Sequence, residues 1–105
     1  MKQTVVFDFD GVIHSYTSGW KGVGVIPDPP VPGIKEAIDN IRAAGYEVVV
    51  VSTRYTSAEG RIALSHYLKQ HHIEVDDIRV DDVAVVLRWC VGCVAVVLRL
   101  CGSGE

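Results

Sequence analysis

Two aspartates, Asp8 and Asp10, follow an apolar stretch near the start of the chain. Side chains at positions i and i+2 of an extended strand lie on the same face, so this spacing predicts that the two carboxylates project together. A carboxylate pair at the end of a buried strand is costly unless a cation or a proton holds it. Mg²⁺ would suit such a pair, because it prefers oxygen ligands and usually retains waters and substrate phosphate in its shell.

The four residues before Asp8 are Thr, Val, Val and Phe. An unbroken run of β-branched and aromatic residues predicts a strand buried on both faces, and Gly11 predicts a bend after Asp10. The simplest alternative is that the Asp-x-Asp-Gly run is only a turn, since Asp and Gly are turn formers. The apolar strand favours a functional site instead, because open α/β sheets keep their ligand crevices at the carboxyl ends of strands.

A helix and a second strand follow, and their order predicts a parallel sheet. Apolar residues recur at helical spacing over residues 34–41, and Gly45 stands where a helix-ending glycine belongs. Residues 46–51 are again mostly β-branched and predict a second interior strand. A strand, helix, strand unit of this kind places its two strands parallel. A capping pattern predicts another helix starting near Ser57, and residues 78–80 predict a short third strand.

The second predicted strand is followed by polar residues, Ser52, Thr53 and Arg54. Parallel strands end at the same edge of a sheet, so we expect Ser52 to lie near the two aspartates. Ser52 alone is typical of an ordinary turn at the end of a strand. Its position one strand, helix, strand unit after Asp8 favours a functional interpretation.

Residues 5–12 resemble motif I of the haloacid dehalogenase (HAD) superfamily, which reads hhhhDxDG[TV], where h is an apolar residue. Residues 48–52 resemble motif II, a hydrophobic strand that ends in Ser or Thr. The Ser-x-Arg run at residues 52–54 is similar to the form of motif II found in polynucleotide phosphatases and some small phage-type HAD proteins. Most superfamily members are Mg²⁺-dependent phosphohydrolases. The resemblance therefore implies an α/β, three-layer Rossmannoid domain with a mainly parallel sheet that acts on a small phosphorylated substrate.

The resemblance also implies a role for each residue that matches a motif. Asp8 would be the nucleophile that forms an aspartyl-phosphate, and Asp10 the general acid/base. The Ser52 hydroxyl would donate to a transferring phosphoryl oxygen. Mg²⁺ would be the cofactor, with Asp8 and Asp10 among its ligands. The implied substrate-binding residues are Gly11, Thr53 and Arg54.

Residues 13–26 are rich in Gly, Ser and Thr and predict a long loop between the first strand and the first helix. HAD proteins carry a short insertion at this place that covers the active site, so the resemblance implies a minimal cap. Tyr16 and Trp20 have two interpretations, stacking on a substrate ring or anchoring the loop, and the length of the loop favours the anchor. We expect His14 to be a solvated polar residue, since no second histidine is near it.

The resemblance stops near residue 80 and covers residues 1–80 of what we expect to be a single domain, 1–105. Superfamily members next supply a lysine, and then a hydrophobic strand ending in two acids that complete the Mg²⁺ shell. No lysine follows Lys69 in this chain, and the apolar run that begins at Val83 is not followed by an acidic pair. An acidic pair precedes that run, and its second member, Asp82, is a candidate third metal ligand.

The last segment, residues 81–105, diverges from the family and contains an apolar repeat, in which residues 83–90 recur almost unchanged as residues 94–101. One hypothesis is a hairpin at the sheet edge, and apolar strands of this kind also predict self-association into a homo-oligomer. Arg88 argues against a membrane span here. The Trp-Cys-x-x-Cys run resembles a thioredoxin-like motif but is followed by a poor helix start, which favours paired thiols in a turn or a weak metal site.

Composition limits the classes of partner. The net charge of −3 and the lack of a basic cluster argue against binding of duplex nucleic acid. The first residues lead into the acid-bearing strand without a signal-peptide pattern, so we expect a cytoplasmic location and no membrane partner. All three cysteines follow residue 89, which does not indicate a secreted disulfide framework.

Overall fold

The computed structural model describes residues 3–80 and 93–97. In chain order, its elements are β1 (Thr4–Asp8), α1 (Ile34–Ala43), β2 (Glu47–Val51), a 3₁₀ turn (Thr53–Thr56), α2 (Ala58–Gln70), β3 (Asp77–Arg79) and β4 (Cys93–Val97). The strands form one parallel sheet in the order β3-β2-β1-β4. The predicted α/β class and the predicted parallel sheet are therefore confirmed.

The strands β1 and β2 are interior, as their sequences predicted. Each has a strand on both sides, and their apolar residues are buried almost without interruption. In the register between them, Asp8 lies opposite Val51. Because parallel strands in this register end at the same level, the polar residues that follow them meet at one edge of the sheet.

The hydrophobic core surrounds these two strands and also takes in the start of the long loop. Its largest fully buried apolar side chains are those of Phe9, Ile13, Ile38, Leu64, Val6, Val48, Val49 and Val50. Ile13 lies beyond the strand, so the core fixes the first residues of the loop as well as the strand itself.

Helix α1 ends where the sequence predicted, at a glycine in the left-handed conformation. Gly45 has φ 97° and donates its N–H to the Arg42 carbonyl, while the Tyr46 N–H donates to the Ile41 carbonyl. This pair of hydrogen bonds is the Schellman motif, which satisfies carbonyls in the last helical turn. The chain then enters β2 directly.

Helix α2 begins at the predicted cap. The Ser57 hydroxyl accepts a hydrogen bond from the Gly60 N–H at 3.0 Å. Gly60 also packs so closely on the preceding turn that a Cβ atom there would lie 1.8 Å from the Arg54 carbonyl oxygen. The glycine therefore lets the first turn of α2 approach the segment that carries Arg54.

This close approach predicts that Gly60→Ala lowers the free energy of unfolding, whereas the same change usually raises it in a helix. In an ordinary helix the change stabilises by about 0.5–1 kcal/mol, but here the methyl group must displace backbone, at a cost of about 2 kcal/mol or more. Urea unfolding measures the effect. Ser65→Ala, at an exposed position of the same helix, is the matched control and should change the free energy of unfolding by less than about 0.5 kcal/mol. A stabilised Gly60→Ala variant would contradict the packing.

Among the described strands, the third and fourth are the outer two of the sheet. β3 begins one residue earlier than predicted, at Asp77, since an edge strand tolerates a polar residue. β4 pairs with β1 and runs parallel to it. The predicted first arm of a hairpin, residues 83–90, lies outside the described residues. Within the part of the chain that the structure describes, no helix is both long and apolar enough to cross a bilayer.

Candidate functional site

The carboxyl ends of β1 and β2 form the centre of the candidate site. The Phe9 N–H donates to the Val51 carbonyl at 3.2 Å, which continues the strand pairing one residue past Asp8. Ser52 follows Val51 directly, so the sheet brings Asp8 and Ser52 to the same edge. Asp8 is half-buried, and its Oδ1 accepts the Phe9 N–H at 2.8 Å. This hydrogen bond holds the carboxylate close to the main chain.

Asp10 lies at the same edge, held by two side chains. Its Oδ2 accepts from Arg54 Nε at 2.9 Å, and its Oδ1 accepts from Arg54 Nη2 at 3.2 Å and from His14 Nδ1 at 2.8 Å. Three donors stabilise the carboxylate form, two of them from a charged guanidinium in bidentate geometry. These contacts therefore hold the Asp10 carboxylate in one orientation at the edge of the sheet.

Arg54 connects Asp10 to the long loop. Its side chain is fully buried, and Nη1 donates to the carbonyl oxygens of Gly22, Val23 and Val25 at 2.8, 3.0 and 3.3 Å. A buried arginine requires such acceptors, because an unpaired charge away from water is very costly. The Arg54 guanidinium, which the resemblance places near the substrate, thus connects the long loop to Asp10 at the end of β1 in this structure.

Ser52 and the remaining predicted substrate contacts surround this cluster. The Ser52 hydroxyl accepts the Arg54 N–H at 3.1 Å and starts the 3₁₀ turn, and its own hydrogen can still be donated. Thr53 is exposed. Gly11 has φ 88° at the predicted bend, and its N–H donates to the His14 carbonyl at 2.7 Å. Asp82, the candidate third metal ligand, lies outside the described residues.

His14 is fully buried, so the expectation of a solvated histidine was wrong. Its Nε2 accepts the Asp28 N–H at 3.2 Å, which assigns the proton to Nδ1, the atom that faces Asp10. The loop turns back over the ring, because His14 forms an isolated antiparallel bridge with Pro30 in the stiff proline segment.

Further hydrogen bonds extend this network into the core. Asp28 is buried, and hydrogen bonds from the Ser18 hydroxyl and N–H lower the pKa of its carboxyl group. The Tyr67 hydroxyl donates to the Asp28 carbonyl at 2.9 Å. Burial raises the pKa of Tyr67, and the negative charges of Asp28 and Asp10 add to the increase. The chain of contacts from Tyr67 to Asp10 fixes the orientation of the site.

The raised pKa of Tyr67 predicts a loss of stability in alkali. Unfolded Tyr67 gives up its proton near pH 10, whereas the folded protein retains it, so the free energy of unfolding should fall as the pH rises above 10. Tyr67→Phe should remove this part of the slope in urea unfolding measured across that pH range. Tyr55→Phe, which leaves Tyr67 in place, is the control. An unchanged slope in Tyr67→Phe would contradict the assignment.

The donor set suits Mg²⁺ only when substrate helps to bind it. No group of three or more His, Cys, Asp or Glu side chains within residues 3–80 could hold a metal ion. The Asp10 carboxylate accepts from Arg54 and His14, so the ion would be held by the Asp8 carboxylate and main-chain oxygens. Mg²⁺ usually retains several waters and binds through one or two carboxylates together with substrate phosphate, so these residues fit it in that form.

The edge of the sheet thus combines a half-buried carboxylate, a serine hydroxyl and a second carboxylate locked in a buried cluster. A carboxylate can act as a nucleophile and a hydroxyl can stabilise a developing oxyanion, so acyl-phosphate chemistry is within the reach of these groups. In the comparisons with known proteins, no protein-family model matches the chain and no curated protein matches its sequence.

Proposed function

We propose that the chain is a HAD-like, three-layer Rossmannoid phosphohydrolase that cleaves small phosphate monoesters with Mg²⁺ through an aspartyl-phosphate. The register that ends β1 and β2 at one edge carries the proposal, because it sets Asp8 beside the strand end that bears Ser52. A nucleophile and an oxyanion donor must both lie within reach of one phosphorus atom. The two motif resemblances meet at this single edge.

In the proposed reaction, an Asp8 oxygen attacks phosphorus and the bond to the leaving-group oxygen breaks. The Ser52 hydroxyl donates to a phosphoryl oxygen as negative charge develops there. For the first step, the contacts of Asp10 with Arg54 and His14 would have to open so that a protonated Asp10 gives its proton to the leaving-group oxygen. The resulting Asp10 carboxylate then takes a proton from the water that attacks the acyl phosphate, and cleavage of the bond between phosphorus and the Asp8 oxygen restores Asp8. Mg²⁺ would be held by Asp8 and main-chain oxygens and would neutralise part of the phosphoryl charge.

A second candidate function is a non-catalytic HAD-like module that binds a phosphorylated ligand or a protein partner. It is favoured by the three hydrogen bonds that stabilise Asp10 as a carboxylate. The strand that flanks β1 on its other side, β4, is followed in the sequence by Leu98 and Arg99 rather than by acids. No lysine follows Lys69, so the usual counter-charge for the nucleophile and the phosphate is missing from the later sequence.

Phosphate release from p-nitrophenyl phosphate distinguishes the two functions. The hydrolase proposal predicts saturable release with Mg²⁺ that stops when EDTA removes the metal. The binding module predicts no release, but saturable binding of the same ester to the protein in an equilibrium titration. A protein that neither releases phosphate nor binds the ester would contradict both candidate functions.

A further inference from the structure

The long loop carries a large aromatic side chain that is mostly exposed. Trp20 is 54% exposed, and the Arg54 guanidinium carbon lies 4.5 Å from the centre of its ring. Arg54 in turn holds the Asp10 carboxylate through two hydrogen bonds. The Arg54 guanidinium thus contacts both the Trp20 ring and the Asp10 carboxylate of the candidate site.

Trp20 is not what anchors the loop. The loop is already fixed by Arg54 through three carbonyl oxygens and by the buried residues Ile13, His14 and Asp28. An anchoring tryptophan would be expected to bury most of its area, because that burial is the main stabilisation it offers. The expectation that this aromatic residue serves as a hydrophobic anchor therefore does not hold for Trp20.

The Trp20 ring has one contacted face and a large exposed area. One face covers the guanidinium of Arg54, an arrangement that fixes the ring by cation–π attraction, and the exposed half faces solvent. A rigid aromatic side chain loses little conformational entropy on binding, so stacking on it is efficient. Aromatic rings in solvent next to a phosphate site commonly stack on planar groups of the ligand.

We propose that the exposed face of Trp20 stacks on a planar aromatic group in the leaving group of the substrate. This inference rests on the proposed function and narrows its substrate class to aromatic or nucleoside phosphate monoesters. The phosphoryl group would lie at Asp8 and Ser52, while the ring would lie on Trp20 beside the Arg54 cluster. Aliphatic phosphates would bind through the phosphoryl group alone and therefore more weakly.

Fluorescence of Trp20 tests the contact independently of turnover. Trp89→Phe leaves Trp20 as the single tryptophan, because the chain contains two. Adenosine monophosphate and phenyl phosphate should quench its emission saturably, whereas ribose phosphate should bind without quenching. Stacking contributes about 1–3 kcal/mol per base, so the nucleotide should bind about five-fold to 150-fold more tightly than ribose phosphate. If only one of the two aromatic esters quenches the emission, that result shows whether the site binds a nucleoside or a simple aryl leaving group.

Two variants separate stacking from a merely structural role. Trp20→Leu should remove the preference in kcat/KM for the nucleotide over ribose phosphate, and Trp20→Phe should retain part of it. If Trp20 only covers Arg54, Trp20→Leu would lower the activity on both substrates equally, and that result would overturn the inference. Equal affinities for adenosine monophosphate and ribose phosphate in the protein that retains Trp20 would also overturn it. Ring-dependent quenching without hydrolysis would support the stacking site and contradict the proposed phosphohydrolase.

Discussion

Replacing Asp8 with asparagine is expected to lower kcat/KM for phosphate release at least about a thousand-fold. The amide has nearly the shape of the carboxylate, and its oxygen can still accept the Phe9 N–H, so the strand end should stay in place. An amide oxygen, however, is a poor nucleophile toward phosphorus. Steady-state kinetics with p-nitrophenyl phosphate and Mg²⁺ measure the loss.

The matched control for this variant is Asp39→Asn on helix α1. Asp39 is a partly exposed aspartate whose carboxylate accepts from Lys35 Nζ at 2.6 Å, remote in sequence from every residue of the candidate site. Its replacement should leave kcat/KM within about two-fold, since surface ion pairs contribute little. If Asp8→Asn retains a tenth or more of the original kcat/KM, Asp8 is not the nucleophile.

The second large effect is expected from Arg54→Met, which should lower the free energy of unfolding by about 3–5 kcal/mol. Methionine fills part of the space but has no donors. The change removes two of the hydrogen bonds to the Asp10 carboxylate and the donor to the carbonyls of Gly22, Val23 and Val25. The long loop should also open, which limited proteolysis of the folded protein can detect. Urea unfolding measures the stability.

Arg61→Met is the control for this prediction. Arg61 is exposed on α2, and its guanidinium donates to the carbonyls of Tyr55 and Thr56 at 3.4 and 3.3 Å, so its loss should cost less than about 0.5 kcal/mol. Combining Arg54→Met with Asp10→Asn should cost less than the sum of the single changes, because the neutral amide no longer needs a cation. Equal losses for Arg54→Met and Arg61→Met would contradict the buried cluster.

The elements of the fold were predictable because their signals are local. The β-branched runs of β1 and β2, the spacing of apolar residues in α1, the cap at Ser57 and the glycine at position 45 each depend on neighbours within a few residues. The structure confirms these elements, with β3 one residue earlier than expected. The meeting of Asp8 and Ser52 at one edge also followed, because the order strand, helix, strand dictates parallel strands.

The buried cluster was not predictable, because its contacts join distant parts of the chain. Arg54 meets Asp10 across 44 positions, and no pattern near either residue shows that the arginine is enclosed by loop carbonyls. The burial of His14 depends on Asp28 and the proline segment folding back over it. Sequence reasoning treated both side chains as facing solvent or substrate, since charged and polar residues usually do.

Detection of an acyl phosphate on Asp8 tests the central claim most directly. The protein would be mixed with excess phenyl phosphate and Mg²⁺, quenched in acid within the first turnover, digested and examined by mass spectrometry. The account predicts one phosphoryl group on the peptide that contains Asp8, absent from Asp8→Asn. Phosphate release at the full rate with no phosphoryl group on that peptide, or with the group on another residue, would contradict it.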